Sequence, residues 1–152
     1  YNIAGEYEKL GNYEKTIYYL KEALMANPEN DAAIYELAIC FDIVQKPNQG
    51  IEFFKQFLNL TPYSKSGWFN LGSIYSQTNQ FEEAIDAYDF ALAIDETFVG
   101  ASFNKAGALI SLGKYEEAIA IYEETFDYEE PDAVYIATSA NATRNLVILN
   151  LP

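Results

Sequence analysis

The sequence predicts an all-α fold made of stacked helix pairs, and three observations support this prediction. Short motifs recur at a spacing of 34 residues: "FN" stands at 69 and 103, and "EEAI" begins at 82 and 116. Apolar residues within each repeat follow the period of a helix rather than that of a strand. Turn-forming residues recur in the same register. A repeat of this length is typical of arrays in which each helix pair packs on the next.

Four repeat units and a different C-terminal segment are expected along the 152 residues. The units span about 1–30, 31–64, 65–98 and 99–131, and the segments "NPEN" (27–30) and "TPYS" (61–64) separate the first three. Beyond them, residues 132–152 are predicted to hold part of a fifth helix pair and an apolar tail. We expect that tail to dock on a neighbouring surface of the same chain or of another copy, because arrays need solvated ends.

The first helix of each unit is clearest in the third unit. Trp68, Leu71, Gly72 and Tyr75 lie at positions i, i+3, i+4 and i+7, which places them on one helical stripe. The second helix carries a matching stripe with carboxylates on its outer side. That stripe comprises Phe81, Ala84, Ile85, Tyr88, Ala91 and Leu92.

The turns between the two helices of a unit favour a left-handed backbone conformation. Gly11, Asn79 and Gly113 suit that conformation, since glycine and asparagine adopt it at the lowest cost. The second unit breaks this pattern with "KPNQG" (46–50). Paired acids such as Glu82 and Glu83 follow the turn, where carboxylates complement the helix dipole; we interpret them as helix-start residues and not as a catalytic pair.

Small residues recur at one position of each helix and predict a close approach within each pair. The first-helix positions are Ala4, Ala38, Gly72 and Ala106, and the second-helix positions are Thr16, Gly50, Ala84 and Ala118. Larger apolar residues are expected to fill the space on either side, and Trp68 is expected to close one end of that packing.

Composition excludes several functions. The net charge of −14, from 9 Lys and Arg against 23 Asp and Glu, argues against binding nucleic acid or anionic membranes. No catalytic, cofactor or metal site is predicted, since the chain has no histidine and no glycine-rich phosphate loop. The single cysteine, Cys40, is predicted to be a small buried apolar residue. With one cysteine the chain has no internal disulfide that would indicate its compartment. Both the cytoplasm and the periplasm stay open, and the cytoplasm is favoured.

These motifs resemble the tetratricopeptide repeat (TPR) family. The residues that carry the resemblance in the third unit are Trp68, Leu71, Gly72, Tyr75, Ala84, Tyr88 and Ala91. Departures from the family pattern include Ser102 in place of Trp, Lys105 in place of Leu, and Phe57 and Thr125 in place of Ala. The resemblance implies a right-handed α-solenoid that acts as a protein-binding scaffold, with a groove lined by the first helix of each unit.

The same resemblance implies which side chains line the groove. The candidates project away from the buried stripe and comprise Tyr35, Glu36, Phe69, Asn70, Ser73, Gln77, Phe103 and Asn104. Asparagine amides both donate and accept, so they suit the backbone of an extended peptide. The alternative for the aromatic residues is packing against the neighbouring unit. With acids such as Glu36 in the groove, we expect a neutral to basic, partly apolar protein or peptide partner.

A second function class remains open on the sequence alone. The array could be an accessory or self-assembly segment of a larger enzyme or secretion machine whose chemistry lies elsewhere. Tyr1 already falls within a first helix, which leaves the opening unit incomplete and favours a fragment of a longer protein.

Overall fold

The computed structural model describes residues 2–125, and the regular structure in this range consists of α-helices. The helices are α1 (Asn2–Lys9), α2 (Tyr13–Ala26), α3 (Asp31–Ile43), α4 (Pro47–Leu60), α5 (Lys65–Gln77), α6 (Phe81–Ile94), α7 (Val99–Ser111) and α8 (Tyr115–Thr125). They form four consecutive pairs, which confirms the predicted all-α solenoid. The expectations for the fifth helix and the tail at 132–152 lie outside the described residues.

Side-chain caps fix where several helices begin. Asn12, Asn30 and Ser64 each accept a hydrogen bond from the backbone N–H three residues later, at Lys15, Ala33 and Gly67. Such caps satisfy one of the backbone donors that a helix leaves unpaired at its start. Helix α4 begins with Pro47, whose missing N–H costs nothing at that position.

The turn inside each pair has one residue with positive φ. Gly11, Asn79 and Gly113 have φ angles of 69°, 59° and 76°, which confirms the three predicted left-handed positions. In the second unit Gln45 adopts φ 54° at the same register. The turn geometry is therefore kept where the sequence signal is absent, and a residue poorly suited to that conformation adopts it.

The small residues predicted to face each other are buried in every pair. Ala4, Ala106, Thr16, Ala84 and Ala118 have no exposed surface. Gly72 serves a more specific purpose than close helix approach alone. A Cβ at Gly72 would lie 2.6 Å from Cε1 of Tyr88, whose ring is buried over the glycine.

Contacts between units make the core continuous. The Trp68 ring packs in two neighbouring hydrophobic clusters, one with residues of α3 and α4 and one with residues of α6 and α7. Ion pairs also cross the unit boundaries, between Lys46 and Glu14 and between Lys105 and Asp89. Within residues 2–125, every helix is too short or too polar to cross a membrane.

Candidate functional site

A cleft of about 430 Å³ lies between α5 and α7, on the face formed by the first helices. Four of the predicted groove residues line it together: Ser73, Gln77, Phe103 and Asn104. The other lining residues are Ser76, Phe81, Tyr88, Gly107, Ala108 and Ser111. None of these ten residues is Asp, Glu, Lys or Arg. The cleft therefore offers uncharged polar groups around an aromatic floor.

Two kinds of polar group occur in this cleft. The serine hydroxyls are engaged within the protein: Ser73 donates to the carbonyl of Phe69 at 3.0 Å, and Ser111 donates to the carbonyl of Gly107 at 3.1 Å. The side-chain amides of Gln77 and Asn104 have no hydrogen-bond partner among residues 2–125. Each amide can donate and accept at once, so these two side chains can pair with a peptide backbone.

Asn70 differs from Asn104 although both were assigned the same role from the repeat register. Asn70 is only 5% exposed, and its amide donates to the carbonyl of Ser66 at 2.8 Å. Its side chain thus presents little surface to a ligand. Asn104 is half-buried and lines the cleft. Of the two asparagines expected to bind a peptide backbone, Asn104 lines the cleft together with Gln77. The role of Asn70 stays a prediction.

The aromatic groove residues pack against other aromatic rings while remaining partly exposed. The ring of Phe69 lies 6.0 Å from Tyr35 of the preceding unit and 5.0 Å from Phe98, before the following unit. Phe103 lies 5.6 Å from Tyr122 of its own unit. Burial raises the pKa of the Tyr35 hydroxyl. Tyr35 and Phe69 therefore connect neighbouring units, which is the alternative raised by the sequence, whereas Phe103 packs within its own unit. All three rings offer only part of their surface to a partner.

The N-terminal half of the same face is acidic. Glu36 is half-buried on α3, and burial together with the carboxylates of Glu36 and Glu8 raises the pKa of the Cys40 thiol to about 11. The Lys9 ammonium pairs with Glu6 at 2.9 Å and does not offset this charge. Cys40 is 1% exposed, which confirms that it is buried. This half of the face disfavours a ligand carboxylate.

Two exposed isoleucines on α3 were missed as site residues. Ile39 is 57% exposed and Ile43 is 47% exposed, although both are large and apolar. By register they correspond to Ser73 and Gln77 of the cleft, so they lie on the same face. Comparison of the repeat units could have identified them. At the positions equivalent to Ile39 and Ile43 the other units have glycine, serine, lysine or glutamine, so an apolar side chain is not needed there for internal packing.

The described part of the chain shows no arrangement suited to metal chemistry. Residues 2–125 contain no group of three or more His, Cys, Asp or Glu side chains placed to hold a metal ion. The groups that line the cleft can take part in hydrogen bonding through the amides and in contact with partly exposed aromatic rings.

The fold and this face define the chain as a helical repeat scaffold. Tetratricopeptide repeat models match residues 1–30, 66–98 and 99–130. The unit at 31–64, which lies between the matched segments, forms the helix pair α3 and α4 in the same register. The chain belongs to the tetratricopeptide repeat family and is a protein-interaction scaffold.

Similar curated proteins are considerably longer than this chain. The peroxisomal targeting signal receptor of Eremothecium gossypii is 32% identical over 120 residues, covering 78% of this chain and 21% of the receptor. The receptor of Kluyveromyces lactis is 32% identical over 97 residues, covering 64% of this chain and 17% of the receptor. A TPR repeat-containing protein of Methanocaldococcus jannaschii is 32% identical over 102 residues, covering 66% of this chain and 31% of that protein.

Solved structures share the fold. A crystal structure of MamA superposes with a TM-score of 0.70 at 24% identity, covering 97% of this chain and 89% of MamA. The type III secretion translocator chaperone SycD of Yersinia enterocolitica superposes with a TM-score of 0.68 at 20% identity, covering 76% of this chain and 81% of SycD. These likenesses support the solenoid architecture.

Proposed function

We propose that the cleft between α5 and α7 binds an extended, neutral to basic segment of a partner protein. The observation that carries this proposal is the pair of amides, Gln77 and Asn104, which line an uncharged cleft without a hydrogen-bond partner among residues 2–125. An extended peptide has a backbone donor and acceptor at every residue, and an amide can satisfy both. The interaction would thus hold the backbone and leave sequence preference to other contacts.

The preference for charge comes from the acidic half of the face. The carboxylates of Glu36 and Glu8 both act on the Cys40 thiol, and the Lys9 ammonium is already paired. A basic residue in the segment would gain attraction there, whereas an acidic tail would meet repulsion. Association should therefore be faster at low salt for a basic partner.

The apolar part of the segment has a candidate contact on α3. Ile39 and Ile43 are one helical turn apart and are 57% and 47% exposed, so together they offer an apolar strip beside the acidic residues. The names of the peroxisomal targeting signal receptors state that those relatives recognise a targeting signal. That description supports segment recognition as the mode of action, and no catalytic step is part of this proposal.

Selection of random peptides on the intact chain tests this function. A displayed decapeptide library is enriched on the wild type, and the affinities of the enriched peptides are then measured. Gln77→Ala with Asn104→Ala should weaken binding at least about tenfold, the value expected for losing one to two hydrogen bonds. The matched control is Asn48→Ala with Gln56→Ala, which removes the same two residue types from exposed positions of α4.

Two results would contradict the proposal. Peptides that bind the Gln77→Ala, Asn104→Ala variant as tightly as the wild type would show that the cleft is not the binding site. Enrichment of peptides rich in Asp and Glu would show that the charge preference is wrong. Circular dichroism of both variants checks that helical content is unchanged, which removes misfolding as a cause of lost binding.

The second candidate function is an accessory or self-assembly segment of a larger protein. It is supported by the lengths of the relatives, since the chain spans 17% to 31% of the three curated proteins described above. Sedimentation velocity over a wide concentration range tests self-assembly. A monomer mass that does not change with concentration contradicts it.

A further inference from the structure

A cavity of about 300 Å³ lies on the face of the second helices, away from the groove residues. It is formed where the end of α6 meets α7 and the end of α8. Its principal lining residues are Leu92, Glu96, Ser102, Lys105, Ile121 and Glu124. None of these residues belongs to the cleft between α5 and α7, so any ligand here would be independent of the proposed groove ligand.

The repeat register relates this cavity to the position of Trp68 one unit earlier. Ser102 corresponds to Trp68, 34 residues before it, and Glu96 corresponds to Pro62. The Trp68 indole stacks on Phe90 with ring centroids 4.4 Å apart, and its N–H donates to the carbonyl of Pro62 at 2.9 Å. In the next unit a hydroxymethyl group stands at the position of the indole and lines the cavity. A pocket of about 480 Å³ lies at the same register beside Trp68, so the fold keeps an opening here in both units.

The lining of the cavity includes a buried polar group. Ser102 is only 8% exposed, and its hydroxyl has no hydrogen-bond partner among residues 2–125. Buried hydroxyls in proteins are generally paired, so an unpaired one facing a cavity is available to a ligand. Thr125, also on this cavity, has its hydroxyl engaged by the carbonyl of Ile121.

The charge at the mouth of the cavity is negative. Glu96 and Glu124 are exposed carboxylates on its rim. The ammonium of Lys105 lies 2.6 Å from Asp89 and is neutralised by it. A ligand with positive charge next to its buried part would therefore meet both carboxylates at short range.

We propose that this cavity binds the indole side chain of a tryptophan that stands between basic residues in a partner protein. The indole fits because the fold places its own indole at the equivalent position, and the indole N–H can donate to the Ser102 hydroxyl. Leu92 and Ile121 supply apolar contact for the ring. Lysine or arginine beside the tryptophan pairs with Glu96 and Glu124. The site is thus a second protein-binding site on the face opposite the groove.

Titration of the isotopically labelled full chain with a blocked peptide tests the proposal by NMR. The peptide acetyl-Gly-Lys-Trp-Lys-Gly-amide should shift the backbone amides of Ser102, Lys105 and Glu124. Replacing its tryptophan by alanine should weaken binding at least about tenfold, the effect of losing the burial of one large side chain. Replacing both lysines by glutamate should weaken it as well, because the rim is acidic.

A variant that fills the cavity separates this site from any other. Ser102→Trp restores the indole found at Trp68, so the chain should fold, melt no lower than the wild type and lose the peptide-induced shifts. Met25→Trp is the control, since Met25 is 70% exposed on α2 in the first unit and lines neither the cleft nor this cavity. That control should bind the peptide as the wild type does.

The proposal is overturned by any of four results. These are unchanged amides around Ser102 on titration, equal affinity for the alanine peptide, retained binding by Ser102→Trp, or a clear loss of stability in that variant, which would show that no room for an indole exists. Tryptamine binding as tightly as the peptide would assign the cavity to a free aromatic amine and overturn the partner assignment.

Discussion

Replacing Gly72 by alanine should destabilise the array, although alanine is the better helix former. Helix propensity alone favours alanine over glycine by about 0.5–1 kcal/mol inside a helix. At Gly72, however, the added Cβ would lie 2.6 Å from Cε1 and 2.8 Å from Cδ1 of Tyr88. The ring is 1% exposed and its hydroxyl bonds to Ser76 at 3.2 Å, so it has little room to move away. Overpacking of this kind costs about 1–3 kcal/mol.

Gly107 provides the matched control for this substitution. It lies in α7 one residue after Ala106, which is the repeat equivalent of Gly72, and a Cβ there would have no atom within 4 Å. Gly107→Ala should therefore gain the propensity term alone. The two alanine variants should differ by about 1–3 kcal/mol, with opposite signs relative to the wild type when the overpacking exceeds the propensity gain.

Urea unfolding followed by circular dichroism at 222 nm measures this difference. A shift of midpoint with an unchanged slope reports a change in stability. If Gly72→Ala gains as much stability as Gly107→Ala, the ring of Tyr88 is not held over Gly72. Close packing of that ring on Gly72 would then not explain why glycine occupies this position.

Three further outcomes follow from other features of the structure. Ala84→Leu should overpack the α5–α6 crossing and cost about 1–3 kcal/mol, whereas the exposed Glu82→Ala should change the thermal midpoint much less; melts with the reverse ranking would contradict this. Gln45→Gly should raise the free energy of unfolding by up to about 1 kcal/mol, because φ 54° costs glycine little; an unchanged urea midpoint would show that the turn carries no strain. The Asp95 carboxyl accepts from Lys65, which lowers the pKa of Asp95 below its ordinary 3.8, so Asp95→Asn should destabilise the chain by less than about 1 kcal/mol at pH 7. A lowered carboxyl pKa stabilises the fold at pH values above the unfolded pKa, and this contribution is lost as the pH falls through the folded pKa. The difference between the two chains should therefore shrink as the pH falls below 3.8, and a difference that does not shrink would contradict it.

Local chemistry explains why most of the fold could be predicted from the sequence. The left-handed turns at Gly11 and Asn79 and the buried small residues such as Ala84 depend on the nature of single residues repeated in register. Gln45 was not predicted because glutamine gives no signal for positive φ, and the flanking helices impose the conformation.

The candidate site was harder to predict because it depends on distances between units. Asn70 and Asn104 occupy equivalent positions in the repeat, yet Asn70 is buried and bonded within its own helix while Asn104 lines the cleft. Lys105 replaces an expected leucine, and its pairing with Asp89 on α6 could not be read from spacing along the chain. Register identifies which face a residue belongs to, but packing between neighbours decides how much of it a partner can contact.

Trp68 can also serve as an intrinsic fluorescence probe of the array. It is the only tryptophan in the chain, and its ring contacts clusters on both sides of the boundary between the second and third units. Its fluorescence therefore records separation of the two central units, while circular dichroism records loss of helix throughout. In a one-dimensional array the two signals coincide only when the ends and the centre open together. The gap between the two unfolding curves thus measures how far cooperativity extends along the stack, without any added label.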